Sequence, residues 1–277
     1  MSRSRRTPRL LAAAGMALTA GLATATPASA AAGAIHPGVM TLTAGAQCTA
    51  NFVFTNGADT FIGQAAHCSG TGGSTETNGC DAGSLPLGTK VEIDGATQPG
   101  TLVYNSWLSM QAVGETDADT CQYNDFALIK IDPADVASVS PAIPVLGGPT
   151  GIDRDGVAAG EDVFSYGNSS LRAGISQLSP KQGVSVGTDS GGWNHPVYTV
   201  SPGIPGDSGS AFVNDQGQAL GILSTLAIAP LAGSNGVSDL GKSLDYANVK
   251  GGLGTVTLVQ GGAFDGNLPI VRGLLGS

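Results

Sequence analysis

The chain contains little basic charge. Only 12 of its 277 residues are lysine or arginine, against 21 aspartates and glutamates, so the formal net charge is −9. Four of the arginines lie within residues 1–30, and removal of that segment would leave a net charge of −13. Binding to the phosphates of a nucleic acid requires a basic surface. The composition therefore argues against a nucleic acid partner.

Long hydrophobic runs are missing beyond residue 30, where no stretch approaches the ~18 apolar residues of a membrane span. The exception is at the N-terminus, where four arginines precede the apolar run Leu10–Leu22 and Ala28-Ser29-Ala30 fits a cleavage site. This pattern predicts that residues 1–30 are a signal peptide and that the protein is secreted. Arg5-Arg6 leaves a twin-arginine signal open, although Pro8 and Arg9 stand where apolar residues are expected.

The cysteines lack the spacing of a zinc site, because no Cys-x-x-Cys pair is present. All four lie beyond the signal: Cys48, Cys68, Cys80 and Cys121. An even number of cysteines in an exported chain predicts two disulfides, and four cysteines allow three connectivities. The acidic pairs Asp117/Asp119 and Asp153/Asp155 are potential calcium ligands, but acidic loops are more often simply solvated. We expect no metal and no cofactor.

Short apolar runs separated by Gly, Pro, Asn and Asp predict an all-β protein. Glycine is abundant, with 43 residues. The predicted strands are Asn51–Thr55, Thr60–Gly63, Lys90–Ile93, Thr101–Tyr104, Phe126–Ile131, Asp162–Tyr166, Val184–Val186, Val197–Val200, Ser210–Asn214, Gln218–Thr225 and Gly254–Val259. One helix is predicted, over Val237–Val249.

Three segments carry groups suited to nucleophilic catalysis: Ala65-Ala66-His67-Cys68, Asn124-Asp125-Phe126-Ala127-Leu128-Ile129-Lys130 and Gly206-Asp207-Ser208-Gly209-Ser210. A serine hydroxyl is a weak nucleophile at neutral pH and needs a base to take its proton. Histidine can serve as that base when a carboxylate fixes its tautomer. Asp117, Asp119 and Asp132 lie near Asp125, but none of them begins such an apolar run.

The order of these segments excludes two other hydrolase classes. An α/β-hydrolase would present its nucleophile within Gly-x-Ser-x-Gly and its histidine after it. Here Ser210 occupies the last motif position, and no histidine follows Ser208. The subtilisin order places the aspartate first, and Asp59 is the only carboxylate before His67.

Together, the three segments resemble the chymotrypsin/trypsin family of serine proteases, over roughly residues 45–226. The resemblance implies two six-stranded antiparallel β-barrels with the active site in the cleft between them. We expect residues 31–140 to form the half that carries His67 and Asp125. Residues 141–277 would form the half that carries Ser208, together with a C-terminal tail. A proline-containing break over 132–151 favours this division.

The resemblance also implies the roles of individual residues. His67 is the expected base, Asp125 its orienting carboxylate and Ser208 the nucleophile, and the amides of Gly206 and Ser208 form the oxyanion hole. Pro202 is expected at the base of the substrate pocket, faced by Ser224, Thr225 and Leu226. An uncharged proline there argues against cleavage after Lys or Arg. His195, thirteen residues before Ser208, either borders the cleft or is an ordinary loop residue.

The family pairs the cysteine after the catalytic histidine with one upstream. The resemblance therefore implies a Cys48–Cys68 disulfide and leaves Cys80–Cys121 as the second.

The chain departs from the family pattern in four places. Ser210 and Ala211 replace the usual Gly and Pro, and Gln64 replaces a Thr. The family's cysteine before the nucleophile loop is missing. Only 13 positions separate Ile35 from Cys48, too few for an activation segment whose freed amino terminus would reach Asp207. Asp207 then needs another partner, such as Arg154 or Arg172.

The sequence therefore predicts a secreted, monomeric serine endopeptidase that acts on proteins or peptides through an acyl-enzyme intermediate. The alternative is a catalytically silent protein of the same fold that binds a partner outside the cell.

Overall fold

The computed structural model describes residues 33–73, 77–226 and 233–268. The predicted signal peptide lies outside these ranges. Within them, no helix is both long enough and apolar enough to cross a membrane.

Strands dominate the described residues, as the sequence predicts. The first seven are β1 Met40–Thr43, β2 Ala46–Thr49, β3 Val53–Thr55, β4 Thr60–Gln64, β5 Lys90–Ile93, β6 Gly100–Asn105 and β7 Ala127–Lys130. The remainder are β8 Asp162–Tyr166, β9 Pro180–Ser185, β10 Asn194–Thr199, β11 Ala211–Asn214, β12 Ala219–Leu226, β13 Asn235–Asp239 and β14 Thr257–Leu258. Three helices accompany them: α1 Ser106–Val113, α2 Ala118–Tyr123 and α3 Leu240–Lys250.

The strands form two antiparallel sheets. Strands β8–β13 close into a six-stranded barrel in the order β10-β13-β12-β11-β8-β9. The other sheet has eight described strands, in the order β14-β3-β4-β7-β6-β5-β1-β2. The all-β class and the six-stranded barrel are thus confirmed, whereas the first sheet has two more strands than expected. One of its strands, β14, comes from the C-terminal tail and pairs with β3.

Each sheet has its own apolar core, and a third cluster lies across both. Ile62, Leu102 and Ile129 pack within the first sheet, whereas Phe212 and Val237 pack within the barrel. The third cluster includes aromatic residues of both sheets: Phe52, Phe54, Phe126 and Phe164. Its burial fixes the position of the segment that begins at Asp125 relative to the barrel, because buried apolar surface is the main stabilising contribution in such a fold.

The helix prediction was partly wrong. Residues 237–239 extend β13, and the helix begins only at Leu240, where Asp239 accepts a hydrogen bond from the Lys242 amide (2.6 Å). Helices α1 and α2 were not predicted. Asn105 caps α1 by accepting hydrogen bonds from the amides of Trp107 and Leu108. The apolar residues of α1 do not follow a clear helical period. The cap stabilises the helix nevertheless, because it satisfies amides that have no partner within the helix.

Candidate active site

His67 lies in a short 3-10 turn, Ala66–Ser69, which follows β4 directly. The Cys48–Cys68 disulfide joins this turn to β2. Asn105 holds it from the other side by donating a hydrogen bond from Nδ2 to the Ala66 carbonyl (3.0 Å). The histidine backbone is therefore fixed by a covalent link and a buried hydrogen bond.

Gln64, which replaces the family's threonine, is fully buried beneath this turn. Its Oε1 accepts a hydrogen bond from Thr41 Oγ1 (3.1 Å), and its Nε2 donates to Ser69 Oγ (3.3 Å). A buried amide without partners would destabilise the fold. These contacts explain why the larger side chain is accommodated.

Asp125 lies directly against His67. Its Oδ2 is 2.7 Å from His67 Nδ1, and its Oδ1 accepts a hydrogen bond from the His67 backbone amide (2.9 Å). A third donor, Ser224 Oγ, lies 2.6 Å from Oδ2. Three hydrogen bonds to one carboxylate stabilise its ionised form, although only 5% of its side chain is exposed.

The two groups shift each other's pKa in opposite directions. Burial alone would lower the pKa of His67, but the charge and the hydrogen bond of Asp125 raise it above its ordinary value. Burial alone would raise the pKa of Asp125, but the neighbouring His67 and the hydrogen bond from Ser224 hold it below its ordinary value. The pair therefore favours an ionised aspartate that stabilises an imidazolium.

Ser208 lies in a tight loop that crosses β2. Its carbonyl accepts a hydrogen bond from the Thr49 amide (2.8 Å), and the Gly206 carbonyl accepts one from Thr49 Oγ1 (2.8 Å). Gly209 has φ +88°, and a Cβ at this position would lie 2.6 Å from the Thr49 carbonyl oxygen. Glycine is required here both for its conformation and for the close approach of β2.

Two amides of this loop have no hydrogen-bond partner among the described residues. Within the described residues, neither the Gly206 nor the Ser208 N–H donates a hydrogen bond. Gly206 has a φ of +95°, a conformation that side chains other than glycine rarely adopt. Free N–H groups beside a candidate nucleophile are the donors that an oxyanion hole requires.

His67, Asp125 and Ser208 line one cavity of about 810 Å³. His67 Nε2 has no hydrogen-bond partner among the described residues, and no direct hydrogen bond joins it to Ser208 Oγ. Contacts between a base and its nucleophile are often longer in an unliganded site than during reaction. The structure therefore brings together in one cleft the three residues that the sequence singles out.

The sequence profile of the family "Trypsin-like peptidase domain" matches residues 48–222, well over half of the chain. The chain belongs to the trypsin-like peptidases. No curated protein sequence matches it.

Solved structures of serine proteases have a fold similar to that of this peptidase. Protease A of Thermobifida fusca has a TM-score of 0.52 at 18% identity, covering 82% of this chain and 99% of its own. A serine protease specific for glutamic acid, described as using a histidine triad in substrate binding, has a TM-score of 0.51 at 17% identity, covering 81% and 100%. A Glu endopeptidase has a TM-score of 0.50 at 17% identity, covering 77% and 91%.

Of the four residues expected in the substrate pocket, Ser224, Thr225 and Leu226 line the cavity. Pro202 is not among the described residues that line the cavity, and its carbonyl accepts a hydrogen bond from Arg172 Nη2 (3.3 Å). Ser224 lines the cavity but also donates to Asp125, a role that its local sequence does not signal. The other described residues on this side of the cavity are Gly203, Ile204, Leu223, Thr225, Leu226 and Asn235.

The second disulfide of the peptidase joins Cys80 to Cys121, so both expected pairs are present. It connects the segment after His67 to α2 and supports Trp107 at the start of α1. Trp107 is buried and lines the cavity. Sequence reasoning missed this residue because it lies outside the three motifs.

Among the described residues, the ionic partners of Asp207 are side chains. Of the two candidates, Arg172 is correct, with Nη2 2.5 Å from Asp207 Oδ2. Arg154 pairs with Asp245 instead (2.6 Å). Lys181, which the sequence did not suggest, lies 3.1 Å from the same oxygen.

One member of each acidic pair considered for calcium, Asp117 or Asp153, accepts hydrogen bonds from backbone amides. Asp117 accepts a hydrogen bond from the Thr120 amide (2.8 Å) at the start of α2. Asp153 accepts hydrogen bonds from the amides of Asp155 and Gly156. These contacts are those of capping and turn residues.

Proposed function

We propose that this protein is a secreted serine endopeptidase in which Ser208 is the nucleophile, His67 the general base and Asp125 its orienting carboxylate. The observation that carries the proposal is the Asp125–His67 contact of 2.7 Å at a cavity that Ser208 also lines. The Asp125 carboxylate fixes the tautomer in which Nδ1 carries the proton, which leaves Nε2 free to accept one.

The reaction follows from these positions. Ser208 Oγ attacks the substrate carbonyl carbon as His67 Nε2 takes its proton, and the negative oxygen accepts hydrogen bonds from the amides of Gly206 and Ser208. His67 then donates the proton to the leaving amine, which leaves an acyl group on Ser208. Water repeats the sequence and releases the acid. In related hydrolases each oxyanion donor accelerates the reaction by about 10²–10³-fold.

We further propose that the peptidase cleaves after small or medium uncharged residues. The described lining residues include no charged side chain apart from the His67–Asp125 pair. A Lys, Arg or Glu side chain entering this cavity would lose its hydration without gaining a counter-charge. Leu226, at the cavity edge, would limit the length of the side chain accepted.

A preference for glutamate like that of the relative with a histidine triad is not supported by this lining. The chain has three histidines, His36, His67 and His195. Of these, His67 alone lines the described part of the cavity.

Export of the protein is supported by the N-terminal sequence pattern and by the two disulfides, which persist in oxidising compartments.

Labelling with a fluorophosphonate tests the nucleophile. One equivalent should attach to Ser208 in the mature protein, and Ser208→Ala should lower kcat by on the order of 10⁶-fold. Ser176→Ala, at an exposed serine outside the cavity, is the matched control and should label normally. A folded wild-type protein that does not label would instead support the silent binding protein.

A peptide library tests the specificity. Cleavage after small or medium uncharged residues is expected, and Leu226→Gly should extend it to longer apolar side chains. Dominant cleavage after Lys, Arg or Glu in the wild-type protein would show that the pocket assignment is wrong.

A further inference from the structure

The loop that carries Ser208 rests on a buried group of three charges. Asp207 and Lys181 are fully buried at the side chain, and only 8% of the Arg172 side chain is exposed. Both cations contact Asp207 Oδ2, Arg172 at 2.5 Å and Lys181 at 3.1 Å. Two positive charges therefore face a single negative charge directly behind the proposed nucleophile.

The same cations bind the chain that leads into the loop. Arg172 donates to Ser201 Oγ (3.1 Å) and to the Pro202 carbonyl (3.3 Å). Lys181 donates to the carbonyls of Ser201 (3.3 Å) and Pro202 (3.5 Å). Residues 203–206, which line the cavity, run between these contacts and Asp207. Each cation thus joins both ends of the cavity wall that holds the Gly206 amide.

Asp207 has enough partners without Lys181. Besides Arg172, it accepts hydrogen bonds from the amides of Ser169 (3.1 Å) and Ile204 (3.1 Å). Burying a second cation against an already paired carboxylate is unfavourable for folding, and an apolar side chain of similar volume is often tolerated as well or better. Stability of the fold therefore does not explain why a lysine stands at this position.

Ile35, near the start of the described residues, is held by residues 138–140. The Ile35 amide donates to the Ser138 carbonyl (3.1 Å), and the Ile35 carbonyl accepts from the Ser140 amide (2.8 Å). Ile35 is thereby buried in the core of the first sheet. Among the described residues, the ionic partners of Asp207 are the side chains of Arg172 and Lys181.

We propose that Lys181 is a positioning residue of the peptidase, holding residues 201–208 in the reactive shape and adding positive charge behind the oxyanion hole. This inference rests on the proposed function, because it assigns Lys181 a task in the reaction of Ser208. Negative charge that develops at the Gly206 and Ser208 amides would be stabilised by the excess cation, since Coulomb interactions are strong in a buried environment.

The proposal predicts opposite effects of alkaline pH on stability and turnover. Burial lowers the pKa of the Lys181 ammonium and Arg172 lowers it further, while Asp207 partly opposes both. At pH values between this lowered pKa and the ordinary lysine pKa, Lys181 is protonated in the unfolded chain and deprotonated in the folded one. The contribution of Lys181 to the free energy of unfolding therefore increases as the pH rises through this range. Over the same range Lys181 loses its charge, and kcat should fall.

Other titratable groups near Lys181 are few. Asp207 and Arg172 are the charged groups in contact with it. On the flanking strands, Tyr166 and Asp162 of β8 lie opposite Pro180 and Val184, and Tyr198 of β10 lies opposite Val184. The residue of β8 opposite Lys181 is Ser165, which does not titrate.

The experiment compares Lys181→Met with Lys181→Gln and with Lys90→Met, a control at an exposed lysine that donates a hydrogen bond to Thr101 Oγ1. Fluorophosphonate burst titration counts active sites, so kcat is expressed per reactive Ser208. Lys181→Met should lower kcat about 10-fold, below the effect of losing a direct oxyanion donor, with KM within about 3-fold and an unchanged or higher thermal midpoint. Lys181→Gln should behave similarly, and Lys90→Met should match the wild type.

Several results would overturn the proposal. Normal kcat in Lys181→Met, or a loss of kcat that only parallels a loss of stability, would show that Lys181 does not position the loop. A fall of kcat at alkaline pH that is the same in Lys181→Met as in the wild type would also overturn it, because the fall would not come from Lys181. Absence of labelling in the wild type would overturn the proposed function together with this inference. The other outcomes concern an enzyme that labels normally, so the two kinds of failure can be told apart.

Discussion

Two His–Asp pairs of similar geometry have very different surroundings. His67 Nδ1 lies 2.7 Å from Asp125, and His195 Nε2 lies 3.0 Å from Asp239. A quarter of the His67 side chain is exposed, whereas the His195 side chain is fully buried in β10. Contact with a carboxylate therefore does not by itself distinguish a catalytic histidine from a structural one.

The free ring nitrogen marks the difference. Both nitrogens of His195 are engaged, Nε2 with Asp239 and Nδ1 with Thr188 Oγ1 (3.0 Å). His67 uses Nδ1 alone and borders the large cavity, which His195 does not line. Asp239 also caps α3. A base must reach its substrate's proton, so His67 is suited to proton transfer and His195 to holding β10, β13 and α3 together.

The largest effect that separates the pairs is expected from Asp125→Asn, with Asp239→Asn as its counterpart. Asp125→Asn should lower kcat by roughly 10⁴-fold near neutral pH, because the amide favours the wrong tautomer of His67. Asp239→Asn should leave kcat within about 3-fold and lower the unfolding temperature. Steady-state kinetics and thermal unfolding of both variants measure this, and equal kinetic losses would remove the distinction.

The pH profile sharpens the same comparison. Asp125 raises the pKa of His67. As the pH is lowered, kcat/KM should therefore begin to fall at a pH above the ordinary histidine pKa. In Asp125→Asn this limb should move to lower pH. Below the ordinary histidine pKa, protonated His67 stabilises the folded state. This stabilisation is lost as the pH rises through the raised pKa that His67 has in the folded protein. An unshifted limb in the variant would contradict the assigned coupling.

His195→Gln should mainly affect stability. Loss of the imidazole removes the buried donor to Asp239 Oδ2 and leaves the Lys242 amide on Oδ1, and it should lower the free energy of unfolding by about 1–3 kcal/mol. Denaturant unfolding measures this loss, and His67→Gln is the comparison that should abolish activity instead. A His195→Gln enzyme that is stable but inactive would show that the buried pair takes part in catalysis.

The smallest effect is expected from Ser224→Ala. Loss of one of three hydrogen bonds to Asp125 should lower kcat about 10-fold, or roughly 1.4 kcal/mol in activation free energy. KM for a small substrate should change little, because Asp125 and not the substrate loses a partner. A changed substrate preference with an unchanged kcat would instead favour the pocket role that the sequence suggested.

Local pattern was sufficient for much of this molecule. The runs Lys90–Ile93 and Asp162–Tyr166 match β5 and β8 residue for residue, because alternation and flanking turn residues are properties of the segment itself. Helices α1 and α2 were not predicted. Asn105 and Asp117 cap them, and whether such a residue acts as a cap depends on the local backbone conformation. The pocket role of Pro202 stays a prediction, because it depends on a fixed offset from Ser208, and an offset alone does not give the direction of a loop.

By itself, the sequence determined the all-β class, the His67, Asp125 and Ser208 candidates and the expected cysteine pairs, since each depends on residue type, order or family resemblance. The tertiary structure alone decided that Ser224 supports Asp125, that His195 is sealed in the barrel and that Lys181 lies under the nucleophile loop. These are contacts between residues up to 99 positions apart. The Ser224–Asp125 contact joins the two sheets, whereas the His195–Asp239 and Lys181–Asp207 contacts lie within the barrel half. All three depend on tertiary packing, which no local pattern encodes.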